Sequence, residues 1–368
     1  MNHITRVVKK FMRPRDGWFY VKKIRDCFFY RSRSMAPPIR LQIEPVSYCN
    51  LTCEFCVLSQ MQRKTELMSA DEISKIVEES GAKWVQLSGV GETFLHPDVI
   101  EIIKAVKKWG PVLKITTNGT PLSPEICRGI VDEGVDYIDV SIDTTDEALY
   151  QQIRGRKLSR VINNVQYLVD YRNSQGSRLE VGAKHVYNEA NIQNLPEDIE
   201  RLADLPFDDA FFLWIFDLYE GSDLCTIREE YLEIIEEAMK RARKLRRPDL
   251  VRALKILKES YFLFAKGEKN KVCYEPVYAP YVTVNGDLTA CCKSSMWVLQ
   301  SPANLSEMSM GNVLERPFGE VWNSEKAVHV RRCVLEERSS FGMCNDCDFD
   351  QHRLLKIART ISQNIVYR

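Results

Sequence analysis

The sequence lacks a net charge: its 51 Lys and Arg residues balance its 51 Asp and Glu residues. A neutral chain has no bias towards a polyanion, so nucleic acid is not an expected partner. Nor does any apolar run approach the roughly 20 residues of a membrane span. The longest, Ala210 to Phe216, has the length of a strand. No apolar segment of the secretory type opens the chain, which predicts a cytoplasmic location. There is no internal repeat. Cysteine, in contrast, is plentiful, with twelve residues. In a compartment that keeps thiols reduced, such a number points to metal ligation before disulfides.

A length of 368 residues suits one large domain and a smaller one. The balanced charge hides an asymmetry: residues 1–40 carry eleven basic side chains against Asp16 and Asp26 alone. Aromatic residues, among them Trp18, Phe19 and Tyr20, are interleaved with these charges. Residues 1–34 therefore read in three ways. They suit an interfacial helix on an anionic membrane, a docking face for an acidic electron donor, or a helix capping the core with its charges in water.

From residue 39 strand and helix patterns alternate. Strands are predicted at 39–44, 84–87, 112–116, 137–141, 179–184 and 210–215. Ser69-Ala-Asp-Glu72 is a capping box, Gly81 a helix terminator, and Ser123-Pro124 an N-cap followed by proline at the first helical position. Such alternation implies parallel strands with right-handed crossovers, in a closed or partial barrel or an open doubly wound sheet. The expected division is a basic segment at 1–38, a core at 39–220, a helical linker at 221–269, a second domain at 270–350 and a helical tail at 351–368. The second domain holds six of the twelve cysteines.

Cys49, Cys53 and Cys56 fall within eight residues just after the first strand. Three thiolates from one loop can hold three irons of a [4Fe–4S] cube, leaving the fourth iron open to a small molecule. A structural zinc site is the alternative, but it wants four closed ligands, and Cys27 lies far upstream.

This Cys-x3-Cys-x2-Cys spacing resembles the signature of the radical S-adenosylmethionine (SAM) superfamily. The resemblance implies a partial (β/α)6 TIM-like barrel. It also implies that the open iron chelates SAM and that reductive cleavage yields a 5′-deoxyadenosyl radical. Further segments match in order at successive strand ends. Gly89-Val90-Gly91-Glu92 resembles the motif whose backbone meets the SAM amino group. Asn118, in Thr-Thr-Asn-Gly, follows the third strand. Ser141 and Asp143 resemble a ribose or carboxylate contact, and Arg154 resembles an arginine that pairs with the SAM carboxylate.

The second domain carries Cys273, Cys291 and the pair Cys344 and Cys347. Pro280 to Cys292 reads as a hairpin about an Asn285-Gly286 turn. Together with Gly311-Asn312-Val313 and Glu320-Val321-Trp322, the pattern is similar to the SPASM/twitch family of auxiliary-cluster domains, here a small α+β unit. Arg353 stands where a longer member would have its next cysteine. That implies the short form, with one auxiliary [4Fe–4S] cluster and two clusters in all; a zinc ribbon is the alternative. Cys292 is expected on the strand face opposite Cys291 and is a candidate catalytic thiol, hydrogen-atom donor, alternative ligand or buried apolar residue. His185 and His96, near strand ends, are candidates for contact with SAM or substrate, or packed histidines. Cys27, Cys127, Cys225 and Cys333 have no partner at ligand spacing.

A second cluster suits a net oxidation. Relatives of the short form include dehydrogenases of aminocyclitol alcohols and a cyclase of the molybdenum-cofactor pathway. The latter ends in a Gly-Gly pair, and this chain ends Val366-Tyr367-Arg368. Peptide maturases of the family often have a recognition domain of about 80–100 residues before the core; only 38 residues precede the first strand here. The expectation is an oxidoreductase acting on an alcohol or sugar-like small molecule, served by a flavodoxin- or ferredoxin-type electron donor. A peptide maturase and a non-catalytic iron–sulfur or zinc adaptor are the alternatives.

Overall fold

The structure, a computed structural model, describes Lys22 and residues 32–34, 36–61, 64–214, 228–265, 273, 275–294, 307–336 and 344. Cys27, Cys225, Cys347, most of the basic segment and the C-terminal tail lie outside the described residues.

Six strands form the core: β1 (Arg40–Ile43), β2 (Trp84–Leu87), β3 (Val112–Thr117), β4 (Tyr137–Ser141), β5 (Glu180–Tyr187) and β6 (Asp209–Trp214). All are parallel and lie side by side in chain order. A doubly wound sheet would reverse direction at a switch point. The uninterrupted order is instead that of a barrel wall, left open because β6 and β1 do not pair.

Between the strands run α1 (Ala70–Ser80), α2 (Val99–Lys107), α3 (Pro124–Asp132), α4 (Glu147–Arg154), α5 (Leu158–Ser174) and α6 (Leu195–Leu202). Helix α1 starts where its sequence predicts. The Glu72 amide donates to the Ser69 hydroxyl at 3.3 Å and the Ser69 amide to the Glu72 carboxylate at 2.8 Å, while Gly81 ends the helix at φ 58°. Residues 147–174 form two helices because Gly155 turns left-handed at φ 68°.

Alternation along the strands sorts the two faces. Leu41, Ile43, Val85, Leu87, Leu113, Ile115, Ile138 and Val140 are fully buried towards the helices. The opposite set, including Gln42, Gln86, Lys114, Asp139, Ser141 and Lys184, lines the concave face and is polar.

Helices α7 (Glu230–Lys244) and α8 (Pro248–Ala265) close the β6 side, where the Trp214 indole donates to the Leu257 carbonyl at 3.1 Å. The chain then returns through α9 (Glu275–Tyr278) to β7 (Tyr281–Val282), β8 (Asp287–Thr289) and β9 (Ser309–Asn312). β7 pairs in parallel with β1, and β7–β8–β9 are antiparallel, so one sheet of nine strands runs through both regions among the described residues. A division at residue 270 thus cuts no sheet boundary: the free edge of β1 carries unpaired backbone groups, and β7 satisfies them. The Asn285-Gly286 turn is present, with Gly286 at φ 86°.

Helices α10 (Phe318–Trp322) and α11 (Glu325–Glu336) pack the far end. Arg331, fully buried, stacks 4.0 Å over Trp322 and donates to the Ser32 carbonyl at 2.7 Å. No described helix is long and apolar enough to cross a membrane.

Candidate cluster and cofactor site

The three cysteines occupy the loop leaving the C-terminal end of β1, the edge where parallel barrels place their chemistry. All three are partly exposed. Each thiol is pushed up by burial and senses at least one of the other two, so the three share one electrostatic neighbourhood. The loop is held from outside. The Glu54 amide donates to the Ile153 carbonyl at 3.0 Å, and the Glu92 amide to the Tyr48 carbonyl at 2.9 Å. Sulfur Sγ of Cys49 accepts from the Leu51 amide at 3.4 Å and the Asn118 side chain at 3.6 Å. The Arg154 guanidinium lies 4.0 Å from Sγ of Cys53.

The glycine–glutamate segment after β2 supplies a close-packed floor. A Cβ on Gly91 would stand 2.2 Å from the Val46 carbonyl oxygen, and one on Gly89 2.4 Å from Cγ of Glu44. Only glycine lets this backbone pass so near the cysteine loop. The Glu92 side chain faces inward. Its carboxylate accepts from the Asn118 amide at 2.7 Å, the Thr117 hydroxyl at 2.7 Å and the Phe94 amide at 3.2 Å. Burial pushes this carboxyl up against those donors. Glu92 therefore holds the Asn118 backbone beside Cys49, with three donors already on its carboxylate.

Asp143 and Arg154 form one unit. Nε of Arg154 donates to Oδ2 of Asp143 at 2.7 Å and Nη2 reaches the same oxygen at 2.5 Å; Oδ1 accepts from the Val186 amide at 2.9 Å. Burial works against the guanidinium charge, but Asp143 and the Cys53 thiol outweigh it and hold it protonated. Asp143 adopts φ 64°, a left-handed conformation that a non-glycine residue keeps only when its surroundings require it. The Asn191 amide, donating to the Asp143 carbonyl at 3.0 Å, is one such constraint. With both oxygens committed, Asp143 positions Arg154 instead of meeting a ligand itself. Ser141, last in β4, faces the concave side.

The two histidines stay off that side. His96 caps the turn before α2: Nδ1 accepts from the Asp98 amide at 3.0 Å, and Nε2 lies 3.1 Å from the Met68 carbonyl. That makes it a packed, neutral histidine. His185 falls on the helix-facing side of β5, wholly buried and stacked with Tyr187 at 5.7 Å, and burial lowers it to about 4. The alternation of β5 turns it away from the concave face and into the packed helix layer.

In the second region Cys273 and Cys344 are buried within the core, and Cys291 is partly exposed. Cys292 is not on a strand face. The Cys291 amide donates to the Ser294 hydroxyl at 2.8 Å and the Ser294 amide to the Cys291 sulfur at 3.3 Å, a local turn that draws the chain off the ladder after Thr289. Cys127 is buried in α3 and pushed up to about 12 by that burial. Cys333 lies 3.7 Å from Nε2 of His329 one helical turn earlier.

Sequence reasoning missed Glu44. It is fully buried; its Oε1 accepts from the Val90 amide at 3.1 Å and its Oε2 from the Val284 amide at 3.2 Å. One carboxylate thus joins the glycine–glutamate segment to the β7–β8 hairpin. The signal was a carboxylate closing an alternating strand at Arg40, Gln42, Glu44.

Among the described residues no three His, Cys, Asp or Glu side chains converge on a point suited to a single metal ion. A cluster spreads its cysteines over several irons. Three neighbouring soft thiols with amide and guanidinium donors directed at their sulfurs fit a [4Fe–4S] group with one open iron.

Residues 43–179 match the family described as the radical SAM superfamily, and residues 273–348 match the iron–sulfur cluster-binding domain SPASM. A cofactor-modifying protein for the tungsten-containing aldehyde ferredoxin oxidoreductase of Pyrococcus furiosus is 25% identical over 328 residues, covering 83% of this chain and 86% of its own length. A probable GTP 3′,8-cyclase of Pyrococcus horikoshii is 32% identical, over only 35% of this chain and 42% of the cyclase. Among solved structures, SuiB of Streptococcus suis bound to S-adenosylmethionine superposes with a TM-score of 0.60 at 19% identity, over 84% of this chain and 72% of that one. The structure of anSMEcpe with bound AdoMet gives a TM-score of 0.57 at 14% identity, over 85% and 88%. The likeness to the two solved structures is one of fold.

Proposed function

This chain belongs to the radical SAM superfamily, with a C-terminal SPASM domain, and we propose that it oxidises an alcohol or sugar-like small molecule by hydrogen-atom abstraction. A [4Fe–4S] cluster with an open iron supplies, when bound, the electron that cleaves SAM into methionine and a 5′-deoxyadenosyl radical. Cys49, Cys53 and Cys56 would hold that cluster. Asn118 and the Leu51 amide tune Cys49 by donating to its sulfur. Arg154, kept charged and oriented by Asp143, would take the SAM carboxylate, and the backbone of Gly89–Glu92 its amino group. Cys273, Cys291, Cys344 and Cys347 would hold one auxiliary cluster.

The observation that carries the reading is the Arg154–Asp143 pair at the rim of the cysteine loop. A buried guanidinium held beside one thiol is wasted on a structural metal knot, and it suits a carboxylate ligand. The polar concave face below the rim supports a small polar substrate, and the near full-length relative is by its name a modifier of a cofactor. A peptide substrate is the second reading. It is favoured by the fold shared with SuiB, a structure of which contains the precursor peptide SuiA.

The experiment is anaerobic turnover with deuterated candidate alcohols and, separately, deuterated peptides. Label appearing in 5′-deoxyadenosine from an alcohol supports the first reading. Label from peptide alone overturns it in favour of the second.

A further inference from the structure

We propose that Lys184 anchors an anionic group, a carboxylate or a phosphate, on the molecule that enters the concave face. The inference rests on reading that face as the substrate chamber.

Strand β5 sends Val181, Ala183, His185 and Tyr187 into the helix layer, where all are buried. Lys184 therefore projects to the other side. Its register partners are Ser141 on β4 and Phe211 on β6. Ser141 is the last residue of its strand, so Lys184 stands just below the rim that carries Asp143 and Arg154.

The charges around it do not cancel. The ionisable groups that act on the Lys184 charge are Asp139, Lys114, Cys292 and Asp143. Asp139 is engaged by Lys114, whose Nζ lies 2.5 Å from its Oδ2. Gly182 leaves the space in which that carboxylate rests, since a Cβ there would come within 3.3 Å of Oδ1. Asp143 is engaged by Arg154 and the Val186 amide. Both carboxylates thus belong to other cations. Among the described residues the Lys184 ammonium has no ion pair or side-chain hydrogen bond; only its backbone is bonded, its carbonyl accepting from the Ile142 amide at 2.8 Å. Burial and the neighbouring Lys114 both work against its charge.

An ammonium without its own counter-ion on a half-buried face, where screening is weaker than in open water, favours the approach of an anion. It offers three donors in any direction, which suits a carboxylate or phosphoryl oxygen equally. Cys292, which follows β8 in the C-terminal region, also acts on the Lys184 charge, so the anchored molecule would lie between that region and the core.

The test is competitive acetylation of the reconstituted protein, read by peptide mass spectrometry, with inorganic phosphate or acetate as probe. At a probe concentration about ten times its dissociation constant, Lys184 labelling is expected to fall about tenfold. Lys114, already paired, should be unaffected. Protection by phosphate alone identifies a phosphorylated substrate, by acetate alone a carboxylate; either supports the anchor. No protection by either probe overturns it. So does a Lys184 that stays unlabelled at alkaline pH while Lys114 is acetylated, since solutes then cannot reach the amine. The readout needs no SAM. Lost protection with intact 5′-deoxyadenosine formation removes the anchor alone, whereas absent 5′-deoxyadenosine removes the reaction reading.

Discussion

The two cysteine sets reach one sheet by opposite routes. Cys49, Cys53 and Cys56 sit on a single loop, and what surrounds them comes from strand ends close by: Asn118 after β3, Arg154 at the end of α4, Gly91 after β2. Cys273, Cys291 and Cys344 come from three separate places: ahead of α9, after β8, and beyond α11. What positions these segments is β7 adding to the edge of β1 and Arg331 fastening α11 to Ser32. The first set is organised by local hydrogen bonds, the second by long-range packing. Glu44 touches both, with one carboxylate oxygen on each side. The contrast teaches that loss of a ligand should act differently in the two regions.

The largest expected effect is on chemistry. Cys53→Ala should abolish 5′-deoxyadenosine formation and remove about four of about eight irons per chain. Cys291→Ala should remove a similar share of iron yet leave SAM cleavage measurable. Equal loss of cleavage in both variants would break the comparison. Next comes Arg154→Met, which leaves Asp143 buried without its cation and should cost about 3–5 kcal/mol in urea unfolding, together with loss of SAM binding. Arg154→Lys should recover much of the stability and less of the binding, because an ammonium lacks the planar fork.

Glu44→Gln replaces one acceptor oxygen by an amide that cannot accept from a backbone N–H, at a cost of about 1–3 kcal/mol. If Glu44 bridges the regions, the electron paramagnetic resonance signals of both clusters should shift. A change confined to one would reduce the residue to local packing. The smallest effect concerns His185, lowered from 6.5 to about 4 by burial. A base with a depressed folded-state value keeps its stabilising contribution above about 6.5 and loses it as the pH falls towards 4. The loss should be about 2 kcal/mol near pH 5. His185→Phe, set between Tyr187 and Phe212, should flatten that acid limb without changing SAM cleavage.

Much of the core was legible because its signals are short-range. The capping box at Ser69 and Glu72, proline after Ser123, strand alternation and the cysteine spacing each act over a few residues, and the structure places them accordingly. Strand order settled what alternation left open, the barrel against the doubly wound sheet. The misses share a cause in distant partners. Gly155 ends α4 just after Arg154, but the pairing of Arg154 with Asp143, outside that helix, is not a local signal. Asp143 read as a ribose or carboxylate contact, and in the structure its oxygens accept from Arg154 and the Val186 amide. Cys292 left its strand because Ser294 captured the Cys291 amide. Lys184 and Glu44 gained meaning only once the concave face and the β7–β8 hairpin were assembled.

The central claim is tested most directly by supplying the anaerobic, iron- and sulfide-loaded protein with SAM and dithionite and separating the products. The account predicts methionine and 5′-deoxyadenosine from the wild-type chain and neither from Cys49→Ala/Cys53→Ala/Cys56→Ala. Intact SAM in both, with iron bound to the wild type, would contradict it and leave a metal-holding protein without radical chemistry.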